Sequence, residues 1–206
     1  MQETIDLPRV ETRHALTNLL SRRRSTKKFD AARDLDVEGI AAMAWAASGT
    51  TTPPHRVSPS ARASNPIAIT LVTGKVSGID AGSYRYDPQD HTLVLARIGD
   101  HREDIAKGTL DAVDWLCDCP ALLLMTADMS AARQRFPGQP ADHGEHFVWM
   151  EAGHSAQNVY LSAAEQNIGT CLVAGFNDDA MRSTCRSLIP QRHQVLGILA
   201  LGYPAA

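Results

Sequence analysis

No stretch of this sequence is long and apolar enough to cross a bilayer. Its longest apolar runs, Ile40–Ala47 and Val195–Leu201, fall far short of the roughly 20 residues a spanning helix needs. Cysteine is scarce, four in 206 residues, which excludes a disulfide scaffold. Cys117-Asp118-Cys119 is too close for a C-x-x-C redox pair, and no second pair completes a zinc site, so four reduced thiols in or near a core are expected. Neither sign of charge dominates: 20 Lys and Arg against 23 Asp and Glu leave −3. That balance gives no general attraction to nucleic acid or to an acidic membrane surface, so any anion site must be a local basic cluster. Nor is there a G-x-G-x-x-G, a G-x-x-x-x-G-K-[ST] or a G-x-S-x-G, which leaves dinucleotide, ATP and serine-hydrolase folds unsupported. Met1–Asp6 holds two acids and no apolar stretch, so a secretory leader is not expected and a cytoplasmic location is.

What is present is an ordinary globular composition, 44% hydrophobic and 21% charged, which excludes a disordered chain. One domain over residues 1–206 is expected, with room for a proper core. Apolar spacing predicts a helix over Val10–Leu20 and a second one capped by Asp36 and stopped by Gly49. Residues 49–66 read as a long loop. Ile67–Val72 reads as a strand, and Asp87-Pro88-Gln89-Asp90 joins two β-prone runs into a hairpin. A helix over Leu110–Cys117 and a strand over Ala121–Thr126 follow, then a mobile loop over 130–145. The strongest helix is Phe147–Asn167, whose small residues on one face call for a second helix packed closely, with Gly169 as its C-cap. Cys171–Phe176 is a short apolar segment, Asp178–Leu188 a helix and Val195–Leu201 a final buried strand. Strands do not alternate regularly with helices, so the fold class is α+β.

Chemistry concentrates in Arg22-Arg23-Arg24-Ser25-Thr26-Lys27-Lys28, where guanidinium forks, ammonium charges and hydroxyls could clamp a phosphate or simply form a solvated patch. The run Arg23 to Asp30 resembles the R-x-S-x-[KR]-x-F signature of the FMN-dependent nitroreductase superfamily. Ser58-Pro59-Ser60-Ala61 is similar to its second landmark. Gly82–Pro88 with His91 and Leu93, Glu151–Asn158 (E-A-G-H-S-A-Q-N) and Gly175–Asp178 resemble motifs of its SagB-type dehydrogenase branch, and Gly202-Tyr203-Pro204 resembles the closing G-x-P. These landmarks stand in family order from residue 22 to 204.

The resemblance implies a central, mostly antiparallel sheet flanked by helices, in an intertwined homodimer with flavin at the interface. It implies that Arg23 holds the FMN phosphate, that Arg24 and Ser25 add contacts to phosphate and ribityl, and that Lys27 sits near the N1/C2 edge of the ring, where a cation stabilises reduced flavin. Pro59, Ser60 and Ala61 match a segment donated across the dimer interface. Val173, Ala174 and Gly175 match the loop beside the ring. The implied activity is a ping-pong oxidoreductase working by hydride transfer at flavin N5, with no catalytic side chain named. The branch implies a dehydrogenase acting on a peptide or natural-product precursor. A second reading is an NAD(P)H-dependent reductase of nitro, quinone or enone compounds, and a third is a non-catalytic flavin-binding partner subunit. No nucleic-acid partner, membrane association or metal is expected.

Several positions depart from the family. Ala174 stands where many nitroreductases carry Glu, and the sequence shows no C-terminal Lys/Arg pair to supplement the phosphate site. The counterpart nearest to the Lys-Tyr pair of azole-forming dehydrogenases is Arg135-Phe136, which cannot act as a general base. Glu151-x-x-His154 lacks the second copy that a di-iron bundle needs, so His154 is expected to be buried and hydrogen-bonded rather than a ligand. His143 and His146 are expected to be an ordinary exposed pair, and Trp45, Trp115 and Trp149 to be core or interface.

Overall fold

The structure is a computed structural model; it describes residues 7–110, 114–140 and 142–205. Six antiparallel strands form one sheet in the order β3-β2-β1-β4-β6-β5: β1 (Ala68–Thr73), β2 (Gly82–Asp87), β3 (Thr92–Ile98), β4 (Ala121–Ala127), β5 (Gly169–Val173) and β6 (Gln194–Gly202). The helices are α1 (Ala15–Arg22), α2 (Val37–Ser48), α3 (Arg102–Lys107), α4 (Met129–Gln134), α5 (His143–Glu165) and α6 (Asp178–Cys185). This is the α+β architecture expected from the order of elements.

The sheet is covered on both faces, which explains its sequence. Side chains alternate across a strand, so a strand buried on one side alternates polar and apolar, whereas one buried on both reads as a continuous apolar run. The central strand β4 is such a run. Leu123 and Met125 join the core under α2 and α5, while Leu122 and Leu124 join the core under α3 and α6. In β6, Leu199 and Leu201 face the first core and Ile198 and Ala200 the second.

The small-residue face of α5 has the partner its spacing calls for. Ala152, Ala156 and Ala163 are buried in the same core as Ala44 and Ala47 of α2, and Ser155 Oγ donates to Ala47 O at 2.7 Å. Asp36 caps α2 as expected, accepting from Gly39 N at 2.7 Å. The hairpin turn is held by Asp87 Oδ1, which accepts from Gln89 N at 2.8 Å.

Other expectations are corrected. The first helix starts at Ala15, later than the apolar spacing implied, and buries none of its residues. Residues 130–145 are not one loop: Asp128 Oδ1 accepts from Ala131 N and nucleates α4, and α5 begins at His143. Of the helix expected over Leu110–Cys117, residues 111–113 lie outside the described residues, and Asp114–Leu116 is a single 3-10 turn. Helix α3 went unnoticed because six residues are too few to show periodicity. The long helix ends at Gln166 rather than at Gly169. Asn167 adopts the left-handed conformation (φ 56°) that leads out of it, and Gly169 opens β5. Trp45 and Trp149 are 44% and 47% exposed, so neither is a core residue of the single chain.

Helix α5 meets α4 at Gly144, where a side chain would overlap the Ala132 carbonyl. Gly144→Ala is therefore expected to push the two helices apart and cost about 2 kcal/mol. A urea midpoint unchanged from wild type would show that α4 yields freely.

Candidate functional site

Two clusters form around α5. The first gathers the basic run. Arg22 at the end of α1 donates to Asn167 Oδ1 (3.0 Å) and Ala164 O (3.3 Å), which anchors the run at the end of α5. Thr26 N then donates to Thr170 O at 2.9 Å, laying the segment beside β5. That approach is close enough to require glycine at 169, since a Cβ there would lie 2.7 Å from Thr26 Cγ2.

Between these anchors, Ser25 Oγ lies 3.1 Å from Tyr160 Oη, and Leu172 N donates to the same Oη at 2.8 Å. With one lone pair taken by Leu172, the Tyr160 proton can go to Ser25 Oγ, leaving the serine hydroxyl hydrogen for a ligand. The Arg23 guanidinium lies over the Tyr160 ring, 5.2 Å from its centroid. Arg24 instead turns back to Ser21 O and Arg23 O, both at 2.8 Å. The fold thus brings Arg23 and Ser25 to the strand that leads into Val173, Ala174 and Gly175. Ala174 and Gly175 are exposed, and nothing lies within 4 Å of where a Gly175 Cβ would be.

The second cluster holds the loop after α2. Asn158 Nδ2 donates to Ser58 Oγ at 3.0 Å. Ser60 Oγ and Ala61 N both donate to Glu151 Oε1, at 3.0 and 2.8 Å, and Asn65 N donates to Ser60 Oγ at 2.7 Å. Pro59 is exposed between these anchors. Arg62, Ala63 and Asn65 all take left-handed backbone conformations (φ 52°, 51° and 46°), a tight path for residues that are not glycine. Burial pushes the Glu151 carboxyl above the usual range, opposed by the Ala61 and Ser60 bonds and by nearby His154.

These clusters do not meet within one chain. Glu151 and Tyr160 are nine residues apart on α5, which places them about 13 Å apart along the axis and half a turn around it, on opposite faces. Pro59, Ser60 and Ala61 are therefore separated from Arg23, Ser25 and the 173–175 loop.

Sequence reasoning missed the organising roles of Tyr160 and Glu151. The available signal for Tyr160 was that it is the one tyrosine placed inside a predicted helix; for Glu151, that a carboxylate occupies the apolar stripe with Val148, Ala152 and Ser155. His154 corrects the expectation directly: it is exposed and makes no hydrogen bond among the described residues, while Glu151 is the buried, bonded member of the pair.

The first cluster suits a phosphate-bearing flavin by its donor set. Arg23 and Lys27 make no side-chain hydrogen bond or ion pair among the described residues, so a guanidinium, an ammonium and a hydroxyl remain available for an anion. The thiols take no part. The four cysteines are free, and burial pushes Cys119 and Cys185 up to about 12, which keeps them protonated. Arg135 and Phe136 line a cavity of about 300 Å3 with Glu151, Ser64 and His193, and Phe136 packs on Phe147 with ring centroids 4.8 Å apart. Asp142, His143 and His146 bring one ligand atom each within 4.8 Å of one another at the start of α5.

Comparison with known proteins gives concordant results. The profile of the Nitroreductase family matches residues 20–203. A protein of Methanocaldococcus jannaschii that bears the name nitroreductase is 30% identical over 179 residues, 86% of this chain and 87% of the relative. The Escherichia coli microcin synthetase McbBCD complex, solved with truncated pro-MccB17 bound, contains a chain superposing with TM-score 0.76 at 19% identity, over 100% of this chain and 79% of that one. A Desulfovibrio desulfuricans protein of nitroreductase type, solved with FMN, superposes with TM-score 0.63 at 16% identity, over 93% and 87%. At those identities the two structures speak to the fold. Among the described residues, no helix is long and apolar enough to cross a membrane.

Proposed function

The chain belongs to the nitroreductase family of oxidoreductases, and from that premise we propose that it is an FMN-dependent enzyme of the SagB-type dehydrogenase kind, working as a homodimer on a peptide or natural-product precursor. The observation that carries the cofactor assignment is the meeting of Arg23, Ser25 and Leu172 on Tyr160, with Lys27 exposed two residues further along the same segment. The FMN-bound Desulfovibrio desulfuricans neighbour supports it. In this reading Arg23 and Ser25 hold the phosphate end, Arg24 and Lys27 add positive charge, and the backbone of Val173, Ala174 and Gly175 borders the ring. When bound, FMN supplies two-electron hydride chemistry.

The homodimer reading draws on geometry. One copy holds Pro59, Ser60 and Ala61 on the wrong face of α5 to reach its own Arg23 cluster, so a second copy would close each site. Trp45 of α2 and Trp149 and Met150 of α5 are exposed apolar groups of the kind an interface buries. The precursor-oxidising reading draws on the motifs at 82–93, 151–158 and 175–178 and on the superposition of this chain with 79% of the microcin synthetase chain. The named nitroreductase relative favours the second reading, an NAD(P)H-dependent reductase of nitro, quinone or enone compounds. Rapid anaerobic mixing with NADPH tests the second reading: prompt bleaching of the yellow protein selects the reductase, and none within minutes argues against it. A colourless protein that also refuses added FMN overturns all three flavin readings.

Arg23→Ala is expected to weaken FMN retention by roughly tenfold or more, the loss of a charge-assisted contact worth about 1.5–3 kcal/mol. Equal FMN affinity in a fluorescence titration would reduce residues 22–28 to solvated surface charge.

A further inference from the structure

On the far side of α4 from the Phe136 cavity lies a wider one of about 1020 Å3, and no role described so far uses it. Three separate segments build it: α4 with Arg133, α6 with Arg182 and, at its C-cap, Arg186, and the 190–194 turn with Arg192. Its lining carries four arginines against two carboxylates, Asp128 and Asp179, so the local balance is +4 − 2 = +2 in a chain whose formal charge is −3.

The arginines are unequally spent. Arg192 Nε lies 3.2 Å from Asp128 Oδ2 in an ion pair, and Arg192 Nη2 donates to Ser130 Oγ at 2.9 Å. Arg133 pairs with Glu145. Arg182 reaches Asp179 only at 3.4 Å, with both side chains mostly exposed, a pairing that holds the guanidinium weakly. Arg186 makes no side-chain hydrogen bond or ion pair among the described residues.

Two further features set this apart from scattered surface charge. Arg192 occupies a left-handed backbone conformation (φ 66°), and its side chain is fixed at the cavity rim by the Asp128 ion pair and the Ser130 hydrogen bond. Arg182 and Arg186 stand one helical turn apart on the same face of α6, with roughly 5–6 Å between their Cβ atoms. That spacing suits charge spread over two adjacent anionic groups better than a single carboxylate.

We propose that this cavity binds a small molecule carrying adjacent phosphates, a nucleoside diphosphate or inorganic pyrophosphate, through Arg182, Arg186 and Arg192. Forked guanidinium donors match phosphate oxygens in pairs, and Ser183 at the wall adds a neutral donor, whereas Ser130 donates its own hydrogen to Asp128 Oδ1 at 2.6 Å. The proposal does not rest on flavin binding, since Arg23 and Tyr160 belong to other elements.

The test is calorimetric titration of the FMN-saturated protein with inorganic pyrophosphate and with ADP, in wild type and in Arg182→Ala, Arg186→Ala and the double variant. Saturable binding is expected, weakened roughly tenfold by each single change. Arg23→Ala, titrated in parallel without FMN, is expected to bind these probes as wild type does, which separates this site from the flavin phosphate site. ADP binding tighter than pyrophosphate would assign a nucleotide, and equal affinity would assign the phosphates alone. No saturable binding of either probe at millimolar concentration, binding indifferent to Arg182 and Arg186, or binding abolished by Arg23→Ala would overturn the proposal. Retained flavin and an unchanged thermal midpoint in the α6 variants confirm that they fold.

Discussion

Replacing Arg102 with alanine is expected to lower stability by about 3 kcal/mol, from the carbonyls it leaves without a donor and the packing it removes rather than from the half-exposed Asp100 charge. The side chain is 8% exposed and makes four hydrogen bonds with its five N–H donors. Nε and Nη2 donate to the two Asp100 oxygens at 2.9 and 2.6 Å, and Nη1 donates to Cys119 O at 2.5 Å and Cys117 O at 3.3 Å. The guanidinium thus ties the start of α3 to the chain entering β4. Alanine would leave two carbonyls without this donor and a cavity beneath Gly74. Arg102→Lys is expected to recover little, because an ammonium cannot supply the planar fork.

The same pair sets an acid limit. Its hydrogen bond to Arg102 holds the Asp100 carboxyl below the usual carboxylate range. A depressed folded value means the stabilisation is present at neutral pH and lost as pH falls below about 4, the ordinary aspartate range, through the folded value. Asp100 is partly exposed, which reduces the size of that step. Urea unfolding at pH 7 and pH 3 measures both effects. An Arg102→Ala midpoint within error of wild type would show that the charge is not needed at this junction.

Replacing Glu151 with alanine is expected to cost about 3 kcal/mol and to release the 58–65 loop, because one carboxylate oxygen accepts both Ser60 Oγ and Ala61 N. Glutamine keeps an acceptor oxygen at that position and removes the cost of burying a charge, so Glu151→Gln is expected to stay close to wild type. The sign with pH is opposite to that of Asp100. Burial raises the folded carboxyl, so this residue favours the folded state below the ordinary glutamate range of about 4.3, and that contribution is lost as pH rises through the folded value. If the loop contacts flavin as proposed, Glu151→Ala also weakens FMN binding while Glu151→Gln does not. Equal loss in both variants would mean that the charge, not the two accepted hydrogen bonds, is what matters.

Most of the fold was legible in the sequence because its signals are local. The apolar run of β4, the Asp36 cap, the hairpin turn at Asp87 and the stripe of small residues on α5 each depend on neighbours within one or two turns. The errors fall where local signal is thin. Short α3 and α4 have no room for periodicity, and the end of α5 was assigned to Gly169 when Asn167 makes the turn.

The sequence alone determined the α+β class, the longer elements, the presence of a concentrated basic run and, through its motifs, the family. Only the tertiary structure decided which of those groups meet. Ser25 finds Tyr160 across 135 positions, while Ser60 and Ala61 find Glu151 on the opposite face of the same helix, and four arginines from three segments converge on one cavity. Secondary structure follows from periods of two and 3.6 residues, which any short window contains. A site follows from sheet register and the rotation of a packed helix, which no window of sequence carries.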